Sequence, residues 1–260
     1  MANIFGTKEW AGKNVNCVDG CIHDCLYCYA KSMAARFKRI APCDWSKMTV
    51  REKEVKRRHR NYGTQVMFPT SHDITPEVLD PCLEVLNNLL QADNRVLIVS
   101  KPHLECVRAV CERFDLYKDS ILFRFTITSF NDSLLSHWEP GAPGHIERLA
   151  CLAFAYEKGF ETSVSIEPML DSSEVPQMVR VMDRWVTDAI WIGKMNRLRS
   201  RVRIETPVEE SAVELIERAQ THENIHALYE RLHEHPKVKW KESIKKVVGL
   251  ELSSEAGLDM

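Results

Sequence analysis

NCVDGCIHDCLYCYA, residues 16–30, places four of the nine cysteines of this 260-residue chain in one short segment. They are Cys17, Cys21, Cys25 and Cys28. A strand-like pattern precedes the segment at 13–18, and a helical pattern follows it at 30–40. The cysteines are therefore predicted to lie on a loop between a first strand and a first helix. In α/β folds such loops carry the chemistry, because they gather at the carboxyl end of the sheet.

The chain continues to alternate short apolar runs with longer amphipathic ones. Further strands are predicted at 64–71, 94–101, 120–129, 162–170 and 188–196, and further helices at 75–91, 103–114, 144–160 and 174–186. Such alternation is typical of parallel strands joined by right-handed crossovers. The predicted fold class is α/β, a partial (βα)6 TIM-type barrel of parallel strands with additional C-terminal helices.

The predicted organisation is one core with an appended helical region. We expect residues 1–200 to form the core, 201–250 a C-terminal helical extension packed on the same domain, and 251–260 a disordered tail. Hydrophobic residues make up 44% and charged residues 28%, as in ordinary globular proteins. The net charge of −2 does not demand a nucleic-acid partner.

The sequence carries no sign of a membrane or secretory protein. No apolar run approaches the roughly 20 residues of a membrane span, and MANIFGTKEW has no basic segment followed by an apolar one. We therefore expect a cytoplasmic protein with reduced thiols, in which the cysteines act as metal ligands, reactive thiols or core residues.

Cys21, Cys25 and Cys28 form a C-x3-C-x2-C pattern that is typical of a metal site. One interpretation is a structural or regulatory zinc clip in a non-enzymatic protein, with Cys17 as fourth ligand. Zinc sites usually combine two separated cysteine pairs, however, and no second pair follows here. Three thiolates on one loop suit a [4Fe–4S] cluster that leaves one iron open to a ligand.

The cysteine segment resembles the signature of the radical S-adenosylmethionine (radical SAM) superfamily, C-x3-C-x-aromatic-C after the first strand of a six-unit barrel, with Tyr27 as the aromatic residue. The nearest resemblance is to the spore-photolyase-like (DNA repair photolyase-like) branch. CIHDCLYCYA, the pair Ser100-Lys101 and WEPGAPGHIERLACL (138–152) carry that resemblance. The strand-two and strand-five segments, TSHDITPE and SIEPMLD, depart from the branch's pattern.

The resemblance implies an enzyme. Its [4Fe–4S] cluster would cleave SAM reductively to give a 5′-deoxyadenosyl radical, which abstracts hydrogen from an unidentified substrate, possibly nucleic acid or another macromolecule. The electron would come from a low-potential donor of the flavodoxin or ferredoxin type.

The resemblance also implies a set of SAM-binding residues. Ser71 or Asp73 would meet the SAM amino group, and Ser129 and Asn131 the ribose. Arg148 would pair with the SAM carboxylate or with Glu139, and Tyr27 and Lys101 complete the set. Helix caps or turn residues are the alternative interpretation of Ser71, Asp73 and Asn131.

Glu167 and Lys194 are predicted to be catalytic or substrate-binding, because charged groups on barrel strands are costly to bury without use. Cys17 is expected to be a buried strand thiol or a hydrogen donor. Core positions are predicted for Cys82, Cys106, Cys111 and Cys151, and His72 and His103 are predicted to lie near the mouth as loop residues. The basic run at 51–60 is either a charged surface or a phosphate-binding face.

Overall fold

The computed structural model describes residue 4 and residues 6–257. Within these residues, a main sheet is accompanied by a two-stranded antiparallel pair and by helices. The strands are β1 (Lys13–Asn14), β2 (Val18–Asp19), β3 (Thr49–Val50), β4 (Val66–Met67), β5 (Val96–Ser100), β6 (Ile121–Thr126), β7 (Glu161–Ile166), β8 (Ile190–Ile192) and β9 (Val238–Trp240). The helices are α1 (Tyr29–Arg36), α2 (Glu52–Val55), α3 (Leu79–Leu90), α4 (Leu104–Arg113), α5 (Asp132–Trp138), α6 (His145–Glu157), α7 (Val175–Met182), α8 (Leu198–Arg201), α9 (Pro207–Ala219), α10 (His222–Leu232) and α11 (Glu242–Val248).

The main sheet is parallel throughout, with the spatial order β1-β4-β5-β6-β7-β8-β9. This order follows the chain, so successive crossovers lie on the same face of the sheet and cover it with helices. The small pair is β2 with β3. The predicted fold class, an α/β partial TIM-type barrel of parallel strands, is confirmed.

The strand β9 differs from the expectation. The sequence pattern predicts a mostly helical region after residue 196 and no further strand, whereas Val238–Trp240 pairs with β8 as a seventh parallel strand. Three residues are too few to show the alternation that marks a strand, so only the neighbouring β8 determines this pairing. The boundaries at 200 and 250 stay predictions, although β9 joins the later region to the main sheet.

The predicted tail at 251–260 lies in part outside the described residues, which end at 257. Within the described part, the Gly257 amide donates a hydrogen bond of 2.8 Å to the Lys8 carbonyl. The end of this part therefore lies beside the first turn of the chain.

The strands alternate between two faces of the sheet. In β5, Ile98 joins the large core beneath the helices, whereas Leu97 joins a smaller cluster on the concave side. In β6, Phe123 likewise belongs to the large core and Leu122 to the smaller cluster. The large core also holds the cysteines predicted for it: Cys82, Cys106, Cys111 and Cys151.

The concave side is filled by aromatic and charged side chains below the carboxyl ends of the strands. The ring of Trp10 packs edge-to-face on Trp191, with centroids 5.7 Å apart. The Arg124 guanidinium lies 4.7 Å from the Trp10 ring and forms a 3.0 Å ion pair with Asp188. Because these side chains fill the lower part of the barrel, a site can form only from residues that follow the strands, at the mouth of the barrel. Among the described residues, every helix is too short or too polar to span a membrane.

Candidate functional site

The three cysteines of the C-x3-C-x2-C pattern lie on the loop before α1, at the carboxyl end of the barrel. Cys21 and Cys25 are each 6% exposed, and Cys28 is half-buried. Cys28 is the N-cap of α1, where its sulfur accepts a 3.4 Å hydrogen bond from the Lys31 amide. A helix N-terminus favours negative charge, so this position suits a thiolate ligand.

The EPGAP segment holds the cysteine loop in place. The Gly141 amide donates to the His23 carbonyl at 3.1 Å, and the Leu26 amide donates to the Trp138 carbonyl at 3.0 Å. A β-carbon at Gly141 would lie 2.3 Å from the carbonyl oxygen of Ile22, which is closer than van der Waals contact allows. Glycine is therefore required where the two loops approach each other.

Asp73 is the centre of a hydrogen-bond network beside the cysteine loop. Its Oδ1 accepts hydrogen bonds from the Ser100 hydroxyl at 3.0 Å and the Lys101 amide at 2.8 Å. Its Oδ2 lies 2.7 Å from His23 Nδ1. Burial opposes ionisation, but His23 and Lys101 lower the pKa of the Asp73 carboxyl below its ordinary value. Asp73 is therefore a carboxylate that joins β5 to the cysteine loop.

His23 and His103 belong to the site although the sequence interpretation did not assign them to it. Their Nε2 atoms lie 2.8 Å apart, and His23 is fully buried. With Asp73 on the other nitrogen of His23, a hydrogen-bonded chain runs from the carboxylate to the start of α4. Burial and the neighbouring His23 lower the pKa of His103. The sequence predicted His103 near the mouth as a loop residue, from its place after a strand. The structure adds its contact with His23, which the sequence did not predict.

Glu139, Tyr27 and Arg148 form a second buried network next to the loop. The hydroxyls of Tyr27 and Thr128 donate to Glu139 Oε1, the second at 2.8 Å. Arg148 forms a 2.5 Å ion pair with Glu139 Oε2 and donates from Nε to the Pro143 carbonyl at 2.8 Å. Of the two partners expected for Arg148, the structure pairs it with Glu139. The fully buried guanidinium positions the loop through that carboxylate.

Lys101, after β5, lies between the two networks. Its ammonium is 5.7 Å from the centre of the Tyr27 ring. Burial disfavours the charge, but Cys25, Asp73 and Glu139 raise the pKa of Lys101 above its ordinary value. The site therefore holds a cation that faces a cysteine and two carboxylates.

The remaining predicted SAM ligands have protein partners as well. The Ser71 amide donates to Asn16 Oδ1 at 2.9 Å. The Ser129 hydroxyl donates to Glu174 Oε2 at 3.0 Å. Asn131 Oδ1 accepts hydrogen bonds from two amides of the first turn of α5, so its side chain caps that helix. The capping interpretation of Asn131 agrees with this geometry, and the SAM-binding roles stay predictions.

Cys17 lies apart from the three motif cysteines. It is fully buried in the core beneath the helices, and its sulfur is 3.9 Å from that of Cys82. Its amide donates to His72 Nε2 at 3.3 Å. Cys17 is therefore a buried thiol just before β2, in the core and not with the three cysteines of the loop.

Glu167 and Lys194 follow neighbouring strands, but each has different surroundings. Glu167 Oε2 lies 3.6 Å from the ammonium of Lys241, which is also 2.7 Å from Glu9. The sequence did not predict Lys241 as a site residue, because the strand before it, β9, was not predicted. The Lys194 amide donates to Ser243 Oγ at 3.0 Å, and among the described residues no carboxylate pairs with its ammonium.

The basic run at 51–60 has the features of a charged surface. Lys56 pairs with Glu52 at 3.3 Å and Arg57 with Glu54 at 2.8 Å, and the side chains are largely exposed. Pairs of this kind contribute little to stability.

Comparisons with known proteins give one sequence relative and several structural neighbours. A scan against models of protein families finds no match. An uncharacterized protein, ORF301 of Acidianus two-tailed virus, is 26% identical over 186 residues. The match covers 66% of this chain and 59% of the viral protein, so the chain spans about three fifths of that relative.

Solved structures of spore photoproduct lyase are similar to the whole barrel. The complex with dinucleoside spore photoproduct has a TM-score of 0.54 and 14% identity, covering 91% of this chain and 78% of that one. A mutant with bound AdoMet and dinucleoside spore photoproduct has a TM-score of 0.51 and 13% identity, covering 87% and 75%. The chain has the fold of spore photoproduct lyase. At the level of the fold, the predicted resemblance to the spore-photolyase-like branch is confirmed.

Proposed function

We propose that this chain is a radical SAM enzyme in which Cys21, Cys25 and Cys28 hold a [4Fe–4S] cluster. The observation that carries the proposal is the position of these three cysteines together, on one loop at the carboxyl end of a parallel partial barrel. The fold of spore photoproduct lyase, one structure of which has AdoMet bound, supports it.

The donor set fits such a cluster. Burial raises the pKa of Cys21 to about 12 and also raises the pKa values of Cys25 and Cys28, so the sulfurs carry protons until a cation displaces them. Among the described residues, Cys21, His23 and Asp73 form a group whose possible metal-binding atoms all lie within 4.8 Å of one another. Cys25 and Cys28 are not part of this group. Thiolates of one zinc ion would lie about 4 Å apart. The three cysteine sulfurs therefore do not all lie within 4.8 Å of one another, which suits sulfurs that bind different irons.

The chain's own residues bind and orient the groups. When bound, the cluster and SAM would supply a 5′-deoxyadenosyl radical that abstracts hydrogen from the substrate. Lys101 stabilises thiolate charge near Cys25, because an ammonium beside a buried sulfur favours the deprotonated form. Asp73 orients the loop through His23, and its remaining capacity as an acceptor supports the proposed contact with the SAM amino group.

The other proposed contacts follow from position. Ser71 lies after β4, and Ser129 and Asn131 lie after β6, at the carboxyl end of the sheet, where we propose that the ribose and amino groups are bound. Glu139 and Tyr27 exclude water from the far side of the loop, since Glu139 is only 1% exposed. Glu167 and Lys194 are proposed to contact substrate.

The reaction needs an electron from outside the chain. A low-potential donor of the flavodoxin or ferredoxin type is proposed for it. The substrate is unidentified; nucleic acid or another macromolecule is a candidate, because the solved neighbour binds a dinucleoside photoproduct.

The first prediction concerns the ligands of the cluster. Alanine in place of Cys21, Cys25 or Cys28 should abolish the visible absorbance and iron content of the anaerobically reconstituted protein, because each thiolate holds one iron. Cys17→Ala should retain both, since its sulfur lies in the core. With a low-potential reductant, the wild type should convert SAM to 5′-deoxyadenosine. A fully loaded protein that cleaves no SAM would overturn the proposal.

A second candidate function rests on the compact group of Cys21, His23 and Asp73. These residues offer a thiolate, an imidazole and a carboxylate, a donor set that binds zinc. The chain would then be a non-enzymatic protein with a zinc clip. Colourless protein with one zinc per chain, lost in His23→Ala but retained in Cys28→Ala, would favour this candidate.

A further inference from the structure

We infer that a cavity at the carboxyl end of β8 binds the phosphate group of a small-molecule phosphate monoester. The cavity has a volume of about 470 Å³ and lies between the segment after β8 and the last turn of α9. This volume is within the range of small-molecule sites. That the monoester is the substrate rests on the proposed function, whereas the binding site itself does not.

The cavity carries positive charge that the protein leaves uncompensated. Lys194, Arg197 and Arg199 line it together with Glu217. Arg199 pairs with two carboxylates, Glu217 and Glu210, each at 2.8 Å, so it does not add to the free positive charge. In the part of the chain described, Lys194 and Arg197 have no carboxylate partner. A phosphate monoester carries a charge of about −1.5 to −2 at pH 7. It therefore balances the charges of two cations better than a ligand with a single carboxylate group would.

The environment of these cations favours a bound anion. Burial lowers the pKa of Lys194, and no neighbouring acid offsets the effect. Burial and the charge of Arg197 also lower the pKa of Arg201, which lies one helical turn further on. Lys194 is thus partly dehydrated, and Arg197 and Arg201 repel each other. An anion bound beside them reduces both unfavourable effects.

Part of the cavity wall is fixed by a buried side chain, although Arg197 and Arg199 themselves are exposed. Gln220, only 6% exposed, accepts from the Met195 amide at 2.8 Å and donates to the Met169 carbonyl at 2.9 Å, which fixes the floor. Arg197 has a φ of 55°, a left-handed conformation that a non-glycine residue adopts at a cost in energy. An arginine fork and a lysine point charge are together suited to a phosphate group. The apolar part of the lining can hold the organic part of the ester: Met195, Leu198 and Ile216.

The cavity lies at the same end of the barrel as the cysteine loop. Arg201, in the helix that borders the cavity, interacts electrostatically with Cys28, Tyr29 and Glu167. A monoester held by Lys194 and Arg197 can therefore extend towards the mouth, where the proposed SAM site lies.

The test is a calorimetric titration of the full chain without cluster or SAM. Phenyl phosphate and inorganic phosphate are the probes for ester and free ion, and acetate is the monoanion control. We expect Lys194→Met and Arg197→Ala each to weaken phenyl phosphate binding about tenfold or more, because each removes a charge-assisted hydrogen bond. Arg197→Lys should keep part of the affinity, because it retains the charge but loses the two-pronged geometry of the guanidinium. Arg203→Ala, which removes an exposed arginine of the same segment that pairs with Glu205, should bind as the wild type does.

Several outcomes would overturn the inference. They are the absence of phosphate binding to the wild type, equal binding of acetate, and an equal loss in Arg203→Ala. A single-stranded oligonucleotide without terminal phosphate that binds more tightly, and still binds Lys194→Met, would point to an extended cationic surface instead. Inorganic phosphate that binds while phenyl phosphate does not would exclude an ester. The titration tests the phosphate site, and the SAM-cleavage assay tests the proposed function. The two measurements are independent, so either proposal can be wrong while the other holds.

Discussion

Glu139 illustrates how one buried residue supports the candidate site. Its carboxylate is 1% exposed and receives the hydroxyls of Tyr27 and Thr128 and the guanidinium of Arg148. Burial opposes its charge, but Arg148 and Lys101 lower the pKa of Glu139 below its ordinary value. A buried ion pair adds little net stability over an apolar pair, yet loss of one partner leaves the other charge uncompensated.

Glu139→Gln should therefore destabilise the protein strongly. We expect a loss of about 3–5 kcal/mol in the free energy of unfolding, measured by urea denaturation without SAM, because Arg148 stays buried without a counter-charge. The double variant Glu139→Gln/Arg148→Met should regain part of that loss. Glu205→Gln is the matched control, since its partner Arg203 is exposed, and it should change stability by less than about 1 kcal/mol. Equal effects of the two single variants would contradict this interpretation.

At the scale of elements, the site depends on the contact between two loops. The cysteine loop has its own helix cap at Cys28, but it is the EPGAP segment after α5 that sets its position over the barrel. The contact is between backbones at Gly141 and Ile22, so neither loop can shift independently of the other.

Gly141→Ala should displace the cysteine loop. Its β-carbon would lie 2.3 Å from the Ile22 carbonyl oxygen and 2.9 Å from the His23 α-carbon, and backbone atoms cannot rotate away as a side chain can. We expect less iron per chain after reconstitution and a lower melting temperature. Gly144→Ala is the control, because its β-carbon would meet only the Asp132 side chain, at 3.1 Å. Normal iron content in Gly141→Ala would show that the contact does not position the ligands.

At the scale of the whole molecule, a buried ion cluster joins the two ends of the chain. Lys241, after the last strand, pairs with Glu9 near the start and lies 3.8 Å from the Trp10 ring. Its second carboxylate, Glu167, belongs to the segment after β7. The first turn of the chain, the sheet and the C-terminal region therefore meet beneath the mouth of the barrel.

Glu9 should make stability depend on pH. Burial raises the pKa of Glu9 from 4.5 to about 7, although Lys241 lowers it. Below pH 4.5 the carboxyl is protonated in both states; as the pH rises towards 7, the unfolded state loses the proton first and is favoured. Relative to Glu9→Gln, the wild type should lose on the order of 3 kcal/mol of unfolding free energy across this window. If the unfolding free energies of the two proteins, measured by urea denaturation, change in parallel with pH, the prediction is wrong. As a control, the Glu223→Gln variant, which alters an exposed residue, should show the same pH dependence as the wild type.

The sequence predicted most of the barrel but not all of it. Runs such as 94–101 and 120–129 carry enough apolar residues to identify β5 and β6, and their order predicts parallel pairing. The strand β9 and the helix α5 were missed, because a short segment shows too little periodicity on its own. For the site, cysteine spacing singled out three candidate ligands. His23 lies within the same segment and His103 follows a strand, but neither position alone predicts their contact. Lys241 follows a strand that was not predicted.

By itself the sequence determined the three-cysteine loop, the alternation of strands and helices, and the polar residues that end the strands. These features are local, because spacing and periodicity act within a few residues of the chain. Only the tertiary structure decided that Arg148 faces Glu139, that Glu167 faces Lys241, and that Lys194 and Arg197 are left without a counter-charge. Ion pairing depends on distance in space and on burial, and neither can be read from separation along the chain.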